Sequence, residues 1–593
     1  MKQFARKAAT SQYPSTIDTR PFAGSEPRIT RLANDNVADS LATLLCSTGV
    51  ERAFGIMGGA VAPLCEALVR SNIDVVHFRS ETGAAFAAME SYFANGRPVV
   101  VFVTTGPGLI NALNGIIASR WEGAKVILIS GTTPVNKRGR WAFQETSAYT
   151  LPHEGLFTAG TIFQFATEMQ SASELSEIAL RLRSGLARAN GFVAHIGVPI
   201  DLQTAPAPPI NLELNPSFAP NTCPAKTIER CAERLVSGPF VIWVGFGARN
   251  AAPLVQMLAE RTGAPVMCSP RAKGIFPETH PQFIGVTGFG GHATTVEYTR
   301  RTRPDHILVL GSRLGEFTSF WDPELTPTQG FIHVDLDVNV PGVAYPDVRT
   351  TGVCAEISHF LQGLLDRLGT LPRPRANVAL IGPELDRPEP RAEGKVRPQL
   401  LMAAIQRTIV DGSDAIVLTE AGNSFAWSNH YLQFREAKRY RVSVGYGSMG
   451  NAVAGVVGAA LACGGKAVAI VGDGSMLMLS EISTAVQHRI NAVWIVLNNS
   501  QYGMIEQGMR AQGLKPVETF IPPCDFVAIA RGMGADGVRV EREEDVESSL
   551  EKAMQVEGPF VVDVIIDPTE TAPFLRRIES LLEQGARPTG KRK

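Results

Sequence analysis

The sequence predicts an α/β protein made of three doubly wound parallel-sheet domains in tandem. Three observations carry this expectation. Short runs rich in Val, Ile and other apolar residues recur along the chain at strand length and without alternation, the pattern of strands buried on both faces. Segments of helical length separate successive runs, so neighbouring strands are parallel. Many runs end in turns rich in Gly, Asn, Asp or Ser, at what becomes the carboxyl edge of a parallel sheet, where ligands bind. A length of 593 residues fits three such cores.

The first unit is expected over residues 31–205. Residues 35–49 are amphipathic, with capping side chains between Asn34 and Asn36. Residues 52–56 read as a strand ending in Met57-Gly58-Gly59-Ala60, and 75–78 as another. Residues 81–93 are Ala-rich and helical, stopped by Asn95-Gly96. A strand at 99–104 runs into Gly106-Pro107-Gly108, one at 126–130 runs into Gly131, and 198–202 closes the unit. The second unit, 226–368, offers strands at 240–244, 265–268, 306–310 and 331–335. Residues 371–398, interrupted by prolines and charges, read as an exposed linker. The third unit, 399–570, offers strands at 415–419, 467–471, 492–497 and 560–566. Residues 1–30 read as a flexible arm and 571–593 as a frayed basic tail.

Composition excludes several classes. Hydrophobic residues make up 45% and charged residues 19%, an ordinary soluble balance. A net charge of −1 gives no electrostatic case for nucleic acid or a membrane surface. Eight cysteines without a CxxC or Cys/His cluster point to reduced thiols and a cytoplasmic location, and away from disulfides or zinc. No apolar run reaches membrane-spanning length; the longest, at 452–463, is broken by glycines and fits a buried helix.

The chemistry concentrates between residues 468 and 504. Gly472-Asp473-Gly474-Ser475 follows one strand, and Asn498-Asn499-Ser500-Gln501 follows the next. In a parallel sheet both turns fall at the carboxyl edge, so Asp473 and Asn499 stand side by side. One carboxylate, one amide oxygen and a backbone carbonyl suit a hard divalent cation that keeps water and takes phosphate oxygens. The glycines allow close approach of a phosphate, and a helix opening after Gly474 would add N–H groups and a positive dipole end. Asn423 and Ser424, at another strand end, are placed to donate to the phosphates. The expectation is a diphosphate bridged to the protein by Mg²⁺.

GDGS, a helical segment, an apolar strand and then LNN resemble the binding motif of thiamine-diphosphate enzymes. The resemblance covers about residues 32–570 and is nearest to the acetolactate synthase and pyruvate oxidase family. Its markers are FGIMGGAVAPL at 54–64, Thr104-Thr105-Gly106-Pro107-Gly108, Ala142-Phe143-Gln144-Glu145, GYGSMG at 445–450 and Leu497-Asn498-Asn499-Ser500-Gln501-Tyr502-Gly503-Met504. It implies thiamine diphosphate and Mg²⁺ as cofactors, with Asp473, Asn499 and the Gln501 carbonyl as metal ligands. Gly447, Gly472, Gly474, Ser475, Gly503 and Met504 belong to the same implied cofactor surface. Met449 takes the position of the apolar wedge beneath the bent cofactor, a task suited to a soft thioether. Glu81, at the start of a helix, takes the position of the acid that meets the aminopyrimidine ring nitrogen. Gly59 and Ala60 would face the thiazolium, and Phe143 and Gln144 would line the substrate side. Glu81 and Asp473 belong to different units, and in the family the interface between them joins two subunits. A homodimer or homotetramer with its active site at the subunit interface follows.

The resemblance also implies an activity. The thiamine cofactor carries the carbanion chemistry. Decarboxylases that release aldehyde place an acid or paired histidines by the cofactor; here the first glycine-rich loop reads Gly58-Gly59-Ala60 and no His-His pair exists. His77, in a strand, reads as a satisfied core histidine. The expectation is decarboxylation of a 2-oxo acid, pyruvate first, followed by carboligation to a second carbonyl, giving an acetolactate- or acyloin-type product. The alternatives are an FAD-linked pyruvate oxidase and a non-ligating decarboxylase on the same scaffold. Acetolactate synthases carry a Trp where this chain has Gly508. Loss of an indole, which buries about 150–250 Å², predicts a wider pocket and an acceptor bulkier than pyruvate or 2-oxobutyrate, such as an aldehyde, a larger 2-oxo acid or an acyl thioester. FAD stays an open candidate. Gly245-Phe246-Gly247-Ala248-Arg249 and Gly311-Ser312-Arg313 look similar to parts of the family's flavin site, but Gly315-Glu316-Phe317 departs from it.

Overall fold

A computed structural model describes residues 36–210, 221–369 and 380–586. The expected arm at 1–30, residues 371–379 of the linker and the basic end of the tail at 587–593 lie outside the described residues. Three six-stranded sheets follow one another, and every strand pairing in them is parallel. The first runs in the order Asp74–His77, Arg52–Gly55, Val99–Val103, Lys125–Thr132, Phe192–Pro199, Phe165–Glu168. The third repeats that order with Tyr440–Val442, Ile416–Thr419, Ala467–Gly472, Ala492–Asn498, Phe560–Ile565, Asp536–Val540. The middle sheet differs: Thr350–Cys354, Gly330–Asp335, His306–Leu310, Phe240–Val244, Val266–Cys268, Phe283–Val286. Its three later strands extend from one side of its first strand, the order of dinucleotide-binding sheets.

Each sheet has one central point where the strand order reverses. The reversal falls between Arg52–Gly55 and Val99–Val103, between Phe240–Val244 and His306–Leu310, and between Ile416–Thr419 and Ala467–Gly472. Connections leave such neighbours in opposite directions, so a crevice opens at their carboxyl ends.

The first and third domains meet through two helices, Glu81–Asn95 and Asn451–Cys463. Both are Ala- and Gly-rich and almost wholly buried. A Cβ at Gly458 would overlap the Ala87 carbonyl oxygen, and one at Gly455 would stand 2.7 Å from Glu90 Cγ. Residue 87 meets 458 and residue 90 meets 455, so the helices run antiparallel. Each starts at the carboxyl edge of its own sheet. The carboxyl edges of the first and third sheets of one chain therefore face opposite ends.

Buried ion pairs lock the domains. Arg441 Nε donates to Glu90 Oε2 at 2.8 Å, with its guanidinium 3.9 Å from the Phe93 ring centre. Arg271 of the middle domain pairs with Glu122 of the first at 2.6 Å. Removing one partner of such a pair leaves a buried charge.

The tail departs from expectation. Residues 575–583 form helix Leu575–Glu583 rather than fraying. Phe574 and Ile578 join the core of the third domain, and Arg577 and Gln584 donate to Glu316 of the middle domain.

Replacing Gly458 with Val should force the two antiparallel helices apart. The expected loss is about 1–3 kcal/mol or more of stability, as in other overpacked cores. Thermal and denaturant unfolding of the purified variant measure it.

Candidate active site

The third sheet places the GDGS and NN turns next to each other through the register Gly472↔Leu497. Asp473 is 4% exposed and its carboxylate lies across both turns. Oδ1 accepts the Gly474 N–H at 2.8 Å, and Oδ2 accepts those of Asn499 at 3.1 Å and Gln501 at 3.3 Å. Oδ2 is thereby filled, while Oδ1 keeps a lone pair for a cation. Burial pushes this carboxyl above the ordinary aspartate range, and backbone N–H groups from the two turns oppose the shift. The Gln501 carbonyl accepts the Gly503 N–H at 2.9 Å and keeps its second lone pair. A Cβ at Gly503 would stand 3.1 Å from Asn423 Nδ2 and 3.2 Å from Asn499 Nδ2, so both side-chain amides converge on this glycine. Asn423 Nδ2 donates to Gln507, and its buried Oδ1 has no hydrogen-bond partner. Among the described residues no group of three or more His, Cys, Asp or Glu could hold a metal. One carboxylate among neutral oxygens fits an ion completed by water and phosphate.

Two expectations need correction here. The helix after Gly474 is one turn, Asp473–Met476, and the chain breaks before Glu481–Gln487. A single turn sums few peptide dipoles, so its free N–H groups, not a macrodipole, are what it offers. A Cβ at Gly474 would stand 2.6 Å from the Tyr502 ring, so that glycine serves packing of the second turn. The Ser424 hydroxyl donates to the Glu420 carbonyl at 3.0 Å.

Gly447 and Met449 lie in the loop from Ser443 to Gly450 on the same edge, and Met449 is 39% exposed. Leu477, Met478, Tyr502, Ile505 and Phe520 of the same domain are also exposed, and Met478 lies against Gly450. Met504 packs against the third-domain core.

Glu81, Gly59 and Gln144 gather at the carboxyl edge of the first sheet. Glu81 opens its helix, 9% exposed, after Ser80, whose hydroxyl caps Gly83. Its Oε2 accepts from Asn111 Nδ2 at 3.3 Å. Gly59 starts a short turn with open space where a Cβ would point. Gln144 sits at φ +53°, and its Oε1 accepts from Thr105 at 3.4 Å. The surrounding loop folds on Glu145, which accepts the Gly139 and Ala142 N–H groups and the Ser147 hydroxyl. It presents Trp141 and Phe143 at 85% and 89% exposure. His77 accepts the Met57 N–H at 3.0 Å, a structural bond. His195 bonds Ser130 and the Leu156 carbonyl, and burial pushes it down to about 4. Within one chain, the Glu81 group and the Asp473 group face opposite ends.

Gly508, the position of the expected wider pocket, has a neighbour from the C-terminal helix. It is buried, and a Cβ there would meet Ile578 of the C-terminal helix at 3.5 Å. Sequence reasoning placed no element in that space. A cavity of about 2050 Å³ lies at the crevice of the middle sheet, with Phe246, Arg249, Arg313, Asp335, Tyr446 and Gly447 among its lining residues. The Gly245 and Gly247 N–H groups bond Leu310 and Gly311 carbonyls, so this GxG turn packs against its neighbour and does not offer those two amides to a phosphate.

Three family descriptions match the chain: the N-terminal TPP-binding domain of thiamine pyrophosphate enzymes over 35–151, their central domain over 228–364 and their C-terminal TPP-binding domain over 420–564. The large subunit of acetolactate synthase isozyme 1 from Escherichia coli is 28% identical over 548 residues, which is 90% of this chain and 94% of that one. A putative thiamine pyrophosphate-containing protein of Bacillus subtilis is 26% identical over 90% of this chain and 92% of its own. A thiamine diphosphate-dependent 4-hydroxybenzoylformate decarboxylase from Rhodococcus jostii shares the fold at a TM-score of 0.77 and 22% identity, over 90% of this chain and 99% of that one.

Asp473→Asn should abolish the stabilisation that thiamine diphosphate with Mg²⁺ gives the protein. A saturating ligand raises stability by about 2.7 kcal/mol at a hundred times its Kd. Thermal melts with and without cofactor measure this; a melt shift equal to that of the unaltered protein would remove Asp473 from the cation site.

Proposed function

The chain belongs to the thiamine pyrophosphate-dependent enzymes, acetolactate synthase-like in sequence, and from that premise we propose that it decarboxylates a 2-oxo acid, pyruvate first, and joins the remaining unit to a second carbonyl. The observation that carries the reading is the Asp473 carboxylate laid across two adjacent strand-end turns. With Asn499 and the Gln501 carbonyl it would hold Mg²⁺ and, through the ion, the diphosphate. The orphaned Asn423 Oδ1 marks a polar group awaiting a partner on the same edge. When bound, the cofactor supplies a carbanion equivalent at its thiazolium C2.

The protein's own residues then divide the work. Met449 would support the cofactor from below. Glu81 would exchange a proton with the ring nitrogen of its aminopyrimidine. Gly59 leaves room over the thiazolium, and Gln144 borders the substrate. The histidines of the first domain bond backbone or neighbouring side chains, which argues against a nearby acid that would release the product as an aldehyde. The acceptor is a 2-oxo acid, an aldehyde or an acyl thioester, and Ile578 beside Gly508 sets the room for it.

Because Glu81 and Asp473 of one chain face opposite ends, a second copy completes each site. The exposed Trp141 and Phe143 of one edge and Met449 and Tyr502 of the other are the surfaces such a copy would cover. A homodimer, or a homotetramer built from two, is the proposed assembly. The cavity at the middle domain is large enough for FAD, and Arg249 and Arg313, which line it, would supply positive charge for its phosphates. A visible flavin spectrum in the purified protein, together with oxygen uptake on pyruvate, would favour the oxidase reading.

Glu81→Gln is expected to leave cofactor and Mg²⁺ bound and to slow exchange of the cofactor C2 proton by about 10²-fold or more. Near-normal exchange in that variant would refute the role. Product analysis by mass spectrometry, with pyruvate and a panel of aldehydes, oxo acids and acyl-CoAs, decides between ligation and simple decarboxylation. Free aldehyde as the sole product would overturn the ligase reading.

A further inference from the structure

Glu420 follows strand Ile416–Thr419 at the crevice of the third sheet and is 1% exposed. Its Oε2 accepts the backbone N–H groups of Gly450 and Ala452, each at 3.1 Å, and its Oε1 accepts that of Ala421 at 3.2 Å. The first two donors open helix Asn451–Cys463. The residue in the capping position there is Gly450, held at φ +88°, with no side chain to cap the helix. Buried helix starts need partners for their free N–H groups. A carboxylate from the neighbouring strand meets that need and sits at the positive end of a long buried helix. Burial pushes the carboxyl up to about 7, while the backbone donors pull it down.

The loop that ends at this helix start carries Met449. A second buried carboxylate holds its other end. Glu122 Oε1 accepts the Ser443 hydroxyl at 2.8 Å, and that hydroxyl oxygen accepts the Gly447 N–H at 3.3 Å. Ser448 bonds Asn114 of the first domain. Every residue from Gly447 to Gly450 is thus tied through a hydrogen bond, Met449 through its carbonyl, which accepts the Ser448 hydroxyl at 3.2 Å, while its side chain is left to packing. Methionine has three soft rotations, so a methionine that must hold a ligand in a strained shape depends on a fixed backbone.

We infer that Glu420 is a positioning residue: by binding the Gly450 and Ala452 N–H groups it sets the height of Met449 under the bent cofactor. The inference rests on the thiamine-diphosphate reading of this edge and adds a residue to it. Glu420 does not touch the reacting atoms; it acts through Met449.

The test uses the full chain with thiamine diphosphate and Mg²⁺. In E420Q the affinity for cofactor should be kept, because Asp473 and Asn499 are untouched. The near-ultraviolet circular dichroism of the bound cofactor, which reports its ring geometry, should change. Exchange of the cofactor C2 proton, followed by NMR, should slow by roughly 10²-fold, the scale of a 1 Å misplacement. In a Met449→Ala background the same substitution should add no further slowing. Wild-type exchange in E420Q, or slowing that simply adds to that of Met449→Ala, would overturn the inference. If E420Q does not fold, amide hydrogen exchange of the cofactor-free unaltered chain decides. Slow exchange at Gly450 and Ala452 is expected, and free exchange at both would overturn the clamp. If the unaltered chain fails to bind thiamine diphosphate at all, it is the functional reading that falls, while protection of those two amides would still show the clamp.

Discussion

The close antiparallel packing of helix Glu81–Asn95 against Asn451–Cys463 governs the rest of the molecule. Gly458 and Gly455 let the two backbones approach until a single added carbon would overlap the facing helix. Such proximity fixes the helices in direction as well as distance. Each helix begins where its own sheet presents its ligand-binding edge, so the antiparallel choice turns those edges away from each other. Had the helices packed parallel, one chain could have held both ends of the cofactor. As built, Glu81 and Asp473 of one chain stand at opposite ends, so on the proposed reading they would serve different pockets.

The middle domain is tied to this pair by charge. Glu90 and Glu122 come from the first domain, Arg271 from the middle and Arg441 from the third. Burying two ion pairs is costly in itself, so their value is in specifying one arrangement of three bodies. Arg271 also lies over the Phe246 ring at 4.0 Å, at the mouth of the large cavity, and Glu122 reaches from Arg271 to Ser443. The crevice of the middle sheet and the loop carrying Met449 thus share one set of buried contacts.

Much of this was legible in the sequence, and most of the omissions have a common cause. Most interior strands, buried on both faces, announce themselves as unbroken apolar runs. The strands left unread were Phe165–Glu168, Phe283–Val286, Thr350–Cys354, Tyr440–Val442 and Asp536–Val540, all sheet edges, together with the interior strand Phe192–Pro199, whose run is broken by His195 and Gly197 and of which only the last two residues fell in the expected 198–202. An edge strand has one neighbour and less to bury, so its composition differs little from that of a loop. The Asp473 and Asn499 turns were readable because their chemistry is local to a few residues. Glu420 was visible only as a residue in a turn, since nothing local says which N–H groups a glutamate meets 30 positions later. The C-terminal helix did carry a signal, apolar residues at Phe574, Ile578, Leu581 and Leu582, outweighed by attention to the charges beyond them. At Gly508 nothing in the sequence signals the neighbour it has, Ile578 of the C-terminal helix.

Neither catalytic edge is a finished surface. The first sheet presents Trp141, Phe143 and Tyr149 to solvent, the third Met449, Leu477 and Tyr502, and these lie at opposite ends of the chain. On the proposed reading, each edge of one copy meets the other edge of a second. A twofold axis makes that contact twice and covers all four surfaces. A head-to-tail contact would cover only two and leave one apolar edge open at each end, free to continue into a fibre. On that reading, closure follows from the same helix direction that sets Glu81 and Asp473 at opposite ends. The proposed dimer would then carry two equivalent active sites, because one axis generates both.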